Sequence, residues 1–370
     1  MIYLDNAATS FPKPRCVYKA VNDALRKYCA NPGRSSHYLS QLAHDKVFEA
    51  REIIADHFSL PSESSVVFCS NATDALNTAI KGLIREPCHV ITSDLEHNSV
   101  LRPLYNLRDR LRIDISVYDS DKNIESELSR LIRHNTRFIV TGLRSNVTGK
   151  QIDYRSLGRI AKRHSITVIA DATQLVGHRS ISLKDSGIDV LCTAGHKGLL
   201  GIQGTGLMLV NTDLNILPLK EGGTGYDSMS ENMPERIPEK FEAGTLNLPG
   251  IVSMLEGIKY INSVGYREIE NRFKEHNALL NEVISSVKGA EILGSGGGII
   301  TFNIKGKDSY QVAEELNGYR ICVRGGLHCA PTIHKKLGTE SIGGVRVSTG
   351  ILNTRADIEG LYKALKRIES

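Results

Sequence analysis

Two residues in one segment have the types and spacing to run electrophilic chemistry. In ITVIADATQLVGHRSISLKDSGIDVLCTAGHKGLLGIQGTG, residues 166–206, Asp171 ends one apolar run and Lys197 follows the next. A lysine placed there can form a Schiff base with an aldehyde cofactor. An aspartate on the neighbouring strand end can keep a pyridine nitrogen protonated, so that the ring acts as an electron sink. A carboxylate at the end of a buried strand is costly unless it meets a cation. Either residue alone is explained by a turn or a surface position; the pair is far more specific. The glycines from Gly198 to Gly206 permit sharp turns and close backbone approach. They fit neither the GxGxxG nor the GxxxxGK[ST] nucleotide pattern.

If the cofactor is pyridoxal phosphate, a phosphate cradle must also exist. Asn71-Ala72-Thr73 stands between a strand and a helix, where backbone N–H groups and the helix dipole favour an anion. A plain helix cap would use the same residues. Asp94-Leu95-Glu96-His97-Asn98 follows the next strand and could lay His97 on a ring. The seven cysteines, at 16, 29, 69, 88, 192, 322 and 329, are scattered and odd in number, with no zinc-site spacing. Free thiols follow, and with them an expected cytoplasmic location.

These residues need elements to hold them. Helical patterns cover 39–57, a stretch from 71 to 83, 98–109, 123–134 and 153–164; strands are expected near 66–69, 88–92, 113–118, 137–141, 166–170, 188–192 and 206–210. Such alternation predicts an α/β fold with a mostly parallel sheet covered by helices. Ligands then sit beyond the carboxyl ends of the strands. After a Gly- and Pro-rich stretch at 221–250 come a helix to about 263, further helix, strands at 299–304 and 344–349, and helices at 308–317 and 355–368. We expect a large domain over 13–250 and a smaller α+β domain over 251–370, with residues 1–12 packing on the latter. The 370 residues carry 46 Lys+Arg against 41 Asp+Glu, a net +5. So small an excess argues against a nucleic-acid or membrane binder. The N-terminus lacks the pattern of a signal peptide, and no apolar stretch approaches a membrane span.

The chain resembles the fold-type I, class V aminotransferase-like enzymes, and within them the group II cysteine desulfurases and selenocysteine lyases. The likeness runs from Tyr3-Leu4-Asp5-Asn6-Ala7-Ala8-Thr9 through Asn31-Pro32-Gly33-Arg34, Glu96-His97-Asn98, Ser145-Asn146-Val147-Thr148-Gly149, Asp171-Ala172-Thr173-Gln174, Gly195-His196-Lys197 and Glu242-Ala243-Gly244-Thr245 to Arg346-Val347-Ser348-Thr349-Gly350. It implies Lys197 as the Schiff-base lysine, Asp171 on the ring nitrogen, Gln174 on the ring hydroxyl and His97 stacked on the ring. Thr73, His196 and the Ala72 backbone would hold the phosphate, joined by Thr245 from the other subunit of a homodimer. Asn146 and Arg346, with Arg324 nearby, would bind the substrate carboxylate, for which a guanidinium offers a bidentate fork.

Arg324-Gly325-Gly326-Leu327-His328-Cys329-Ala330 resembles the short RxGxxCA segment of the group II enzymes and implies Cys329 as the nucleophile. His328 and Arg324 are expected to act as cationic neighbours that favour its thiolate. Cys69, Cys192 and Cys322 read as small buried hydrophobes. Two positions depart from the family pattern. Ala194 replaces a frequent serine, which raises whether Thr193 supplies the missing hydroxyl, and Arg144 replaces a residue commonly His or a small polar type. The resemblance implies conversion of L-cysteine to L-alanine, with a persulfide on Cys329 passed to an acceptor such as an acceptor protein. L-selenocysteine is the alternative substrate. A lyase or epimerase without a cysteine is disfavoured by the RxGxxCA segment, and a non-catalytic sulfur-transfer scaffold by the intact lysine and aspartate.

Overall fold

The computed structural model describes residues 1–33, 36–226 and 228–368. Arg34, part of one of the family landmarks, lies outside the described residues. The chain opens with β1 (Ile2–Tyr3), α1 (Arg15–Lys27) and α2 (Tyr38–Phe58). It then alternates through β2 (Val66–Cys69), α3 (Ala72–Leu83), β3 (His89–Ser93), α4 (Asn98–Leu111), β4 (Asp114–Tyr118), α5 (Ile124–Leu131), β5 (Thr136–Gly142), α6 (Tyr154–Arg163) and β6 (Thr167–Asp171). Strands β7 (Val190–Ala194) and β8 (Gly206–Val210) complete a seven-stranded sheet of order β2-β8-β7-β6-β5-β3-β4. Only β8 runs against its neighbours; the other pairings are parallel. The expected α/β architecture is what folds.

Period-2 alternation sends side chains to two apolar layers. Val168 and Ala170 join the layer beneath α2, α6 and α7, whereas Ile169 joins that beneath α3 and α4. The helix α7 (Leu248–Val264) leads to α8 (Tyr266–Ser285), then β9 (Ala290–Gly296), β10 (Ile299–Ile304), α9 (Ser309–Gly318), β11 (Ile321–Cys322), α10 (Pro331–Lys336), β12 (Val345–Ser348) and α11 (Arg355–Ile368). Strands β12, β10 and β9 form an antiparallel sheet with its own core around Phe302, Val345 and Val347. The N-terminal β1 pairs parallel with β11, and Leu4 enters that third core.

Three local differences from the sequence expectation have physical reasons. The strand expected at 188–192 begins at Val190, because side chains take both main-chain groups of Ile188: Ser186 Oγ accepts its N–H at 3.0 Å and Asn211 Nδ2 donates to its carbonyl at 3.0 Å. The amphipathic helix α1 was not anticipated; no side chain caps its start at Pro14. Strand β9 was also missed, since its sequence AEILGSG carries little apolar content.

Candidate active site

Loops leaving the carboxyl ends of β2, β3, β5, β6 and β7 meet around a cavity of about 120 Å³. It is lined by Ala72, Thr73, His97, Asn146, Asp171, Gln174, His196 and Lys197, together with Asn71, Ser99, Arg144, Thr173 and Ala194. Every ring- and phosphate-directed residue expected from the sequence is there except Thr245, which is exposed and lies outside this lining.

The anion-receptive end is the start of α3. Asn71 caps it, its Oδ1 accepting the Asp74 N–H at 2.9 Å, and the helix's first N–H groups lack intrahelical acceptors. Strand β8 passes so close that a Cβ on Gly206 would stand 2.4 Å from the Asn71 carbonyl carbon. Thr73 Oγ1 bonds Ser99 Oγ at 2.8 Å, and Ser99 Oγ bonds His97 Nδ1 at 2.9 Å. Because His97 Nδ1 also accepts the Ser99 N–H at 3.1 Å, the neutral ring carries its proton on Nε2. Burial holds the His97 pKa below its usual value, against the pull of Asp171.

Opposite lies Lys197. Burial and the field of Arg346 bring its ammonium pKa down to about 8, against Asp171. The turn carrying it is fixed from outside: the His196 carbonyl accepts from Ser10 N (3.1 Å), Ser10 Oγ (3.1 Å), Thr9 Oγ1 (3.2 Å) and Lys13 Nζ (2.9 Å). Asp171 Oδ1 accepts the Thr173 N–H at 2.9 Å. Gln174 Nε2 donates to the Ala7 carbonyl at 2.9 Å. As for the missing serine hydroxyl, Ala194 lines the cavity, while Thr193 lies outside that lining, wholly buried with its hydroxyl unpartnered. Thr193 therefore does not stand in for it.

The substrate-directed residues sit differently. Asn146 Nδ2 donates to the His328 carbonyl at 2.7 Å, and its Oδ1 is buried without a partner. Arg346 is only 1% exposed; its Nη2 meets Asp5 Oδ1 at 2.8 Å and its Nη1 the Asn146 carbonyl at 3.1 Å. Its fork is thus engaged internally, with Nε unpartnered. Arg324 is exposed and joins Arg346 through paired main-chain bonds of 3.2 and 2.7 Å.

Cys329 is exposed and follows His328 in an unusual turn, the two residues having φ of +57° and +51°. Its carbonyl accepts the N–H of Asn98 at 2.8 Å, which ties the cysteine to the residue after His97. The expectation of a cationic His328 is overturned. Its ring is buried, Nε2 bonds the Gly344 carbonyl at 3.0 Å, and burial with nearby Arg346 pushes its pKa down to about 2. A neutral imidazole lends no charge to a thiolate. Cys192 is wholly buried as expected, whereas Cys69 and Cys322 are half-buried. No disulfide joins the described cysteines.

Sequence reasoning gave no role to Glu96, although it stands beside His97. It is fully buried, bonds Ser93 Oγ, and accepts from Thr141 Oγ1 and Gly142 N, each at 3.0 Å. Burial raises its carboxyl pKa to about 7. It ties the ends of β3 and β5 together under His97. Lys13 was missed as well, and its only signal was a lysine between two prolines.

The donor set fits a phosphorylated pyridine aldehyde: a helix start for the phosphate, a carboxylate for the ring nitrogen, a lysine of lowered pKa, and a histidine beside them. The buried Thr173 Oγ1 and Asn146 Oδ1, both in the lining, still lack partners that a bound molecule could provide. Among the described residues no cluster of His, Cys, Asp and Glu could hold a metal ion, and no helix is long and apolar enough to cross a membrane.

Known proteins resemble this chain in sequence and in fold. A protein of Methanothermobacter thermautotrophicus named probable cysteine desulfurase is 34% identical over 99% of this chain and 94% of its own length. One of the same name from Pyrococcus abyssi is 30% identical over 100% of this chain and 94% of its own. The apo structure of a cysteine desulfurase from Thermococcus onnurineus NA1 superposes with a TM-score of 0.91 at 29% identity, covering 99% of this chain and 94% of that one. The family model for class-V aminotransferases matches residues 2–361. The chain belongs to the class-V aminotransferase family, with its pyridoxal phosphate fold of type I.

Proposed function

We propose that this protein is a pyridoxal phosphate-dependent cysteine desulfurase that takes sulfur from L-cysteine onto Cys329 and releases L-alanine. The observation that most supports this reading is the 2.8 Å bond from Asn98 N to the Cys329 carbonyl, which ties the backbone of a residue with an exposed side chain to the loop that follows His97.

Pyridoxal phosphate supplies a protonated ring that stores the electron pair left when a proton leaves the substrate Cα. In this reading Lys197 anchors it, Asp171 faces its ring nitrogen, Gln174 its hydroxyl, and His97 its face. Ala72 N, Thr73 and His196 hold its phosphate, with Thr245 of a second subunit completing a homodimeric site. Freed Lys197, with a pKa near 8, accepts the Cα proton close to neutral pH and returns it later. Arg346 Nε offers an unpartnered N–H to the substrate carboxylate, while Asn146 reaches it only if its Nδ2 leaves the His328 carbonyl. A larger grip requires Arg346 to trade a partner, with exposed Arg324 at hand. The Cys329 thiolate attacks the substrate sulfur. The new S–S bond forms as the Cβ–S bond breaks with its electron pair on carbon, and protonation of that carbon gives alanine. An external thiol then takes the outer sulfur. The division into a cofactor-holding part, 13–250, and a smaller part, 251–370 with 1–12, belongs to the same reading.

The test is Cys329→Ala. We expect it to keep the visible absorption of bound cofactor and to lose alanine release from cysteine. Full retention of that release sinks the persulfide step. Activity on selenocysteine alone, in wild type and variant alike, would favour a selenocysteine lyase.

A further inference from the structure

A second cleft, of about 350 Å³, opens where the loops around Arg144, Gln151 and Arg179 face helix α8. Arg144 is 9% exposed and pairs with no carboxylate among the described residues. Its guanidinium donates to the Gln174 carbonyl and to Gln151 Oε1, both at a long 3.3 Å, and its Nε has no partner. Arg179 Nη1 donates to that same Gln151 Oε1 at 3.1 Å. Two guanidiniums therefore share one neutral oxygen. The Arg144 head lies against the β9–β10 turn, where a Cβ on Gly297 would come within 2.6 Å of Nη1. Arg144 lines both cavities, whereas Gln151, Arg179 and Gly297 line only the second cleft, so the Nη2 end of its guanidinium, held by Gln151, is turned to that cleft.

The lining also includes exposed Lys274, which makes no ion pair among the described residues. The one carboxylate in the lining, Glu270, already meets Arg179 at 3.3 Å. The lining thus holds three cations against one anion. A buried guanidinium without a counter-charge is costly to maintain, and an oxyanion relieves that cost through paired N–H donors.

We propose that this cleft binds a small dianionic oxyanion of the inorganic phosphate class, gripped by Arg144, Arg179 and Lys274. Its occupant would bridge α8 to the loop whose Gln174 faces the cofactor, because Arg144 also holds the Gln174 carbonyl.

The experiment titrates inorganic phosphate into cofactor-loaded protein at constant ionic strength, read by calorimetry and by the ³¹P resonance of added phosphate. Saturable binding of one phosphate per chain is expected. Arg144→Gln and Lys274→Gln should each weaken it by about tenfold, equivalent to about 1.4 kcal/mol, and Lys274→Arg should restore it. Lys274→Gln should leave basal turnover unchanged. Should Arg144→Gln fail to fold, the Lys274 pair decides the matter. No saturable binding, or equal affinity in Lys274→Gln, overturns the site. Acetate binding as tightly as phosphate overturns the dianion class.

Discussion

The two turns that present Lys197 and Cys329 are both held by their main-chain carbonyls but leave their side chains in opposite surroundings. The Lys197 turn is fixed by its carbonyl, with four donors converging on His196 O and the amine enclosed. The Cys329 turn is also fixed by main-chain carbonyls, through Asn146 on His328 and Asn98 on Cys329, yet its side chain stands in solvent. Two non-glycine residues in the left-handed region cost about 1–2 kcal/mol each, and those bonds offset it. The difference follows from the chemistry proposed. A base must be desolvated to be neutral near pH 7, whereas a sulfur carrier must reach a second molecule.

The largest effect should come from removing the enclosed group. Lys197→Ala is expected to lower kcat by at least roughly 10²–10⁴, the range general acid–base catalysis contributes. Borohydride should no longer fix the cofactor covalently to the chain. Persistent covalent fixation would mean that another lysine holds it.

Lys13 separates the two turns further, because its charge is buried and only one turn depends on it. Its Nζ bonds Ser10 Oγ at 2.7 Å and the His196 carbonyl, with no carboxylate, and burial lowers its pKa to about 8. Below pH 8 both folded and unfolded chains keep the proton, so the burial penalty is fully present. Between 8 and about 10.5 the unfolded chain binds more protons, and stability rises with pH. Relative to Lys13→Met, wild type should therefore gain up to about 3 kcal/mol across that window. Urea unfolding of both proteins at pH 7 and pH 10 checks it; a constant difference would remove Lys13 from the account.

Asn146→Ala attacks the other turn. It leaves the His328 carbonyl without its donor and should cost about 1–3 kcal/mol. Amide exchange should quicken around residues 327–331 and stay unchanged near 196–200. Equal quickening of both would show that the turns are not independently held.

Much of the site was legible because it depends on residue type at strand ends. Asp171, His97 and Lys197 fall where a parallel sheet delivers its loops, and the apolar runs marked those strands, whereas Gln174 was implied by the family resemblance alone. What escaped depends on contacts distant in sequence. Lys13 acquires its place only when residues 1–13 cross to His196, more than 180 positions away. Likewise, Glu96 matters only once β3 and β5 adjoin. His328 misled for a related reason. A histidine beside a cysteine suggests a cation, but the Gly344 carbonyl and full burial decide that it stays neutral.

The enclosure of Lys197 can also be measured before any turnover. In cofactor-free protein only its unprotonated amine can attack an aldehyde, and its lowered pKa puts that form in reach at neutral pH. The rate of pyridoxal phosphate uptake, followed by the growth of visible absorption, should rise about tenfold from pH 7 to 9 and level off, as a group of pKa near 8 requires. An ordinary lysine would keep gaining past pH 10. Continued gain there would mean that the amine is open to water until the cofactor arrives, and the contrast with the exposed Cys329 turn would then belong to the loaded protein alone.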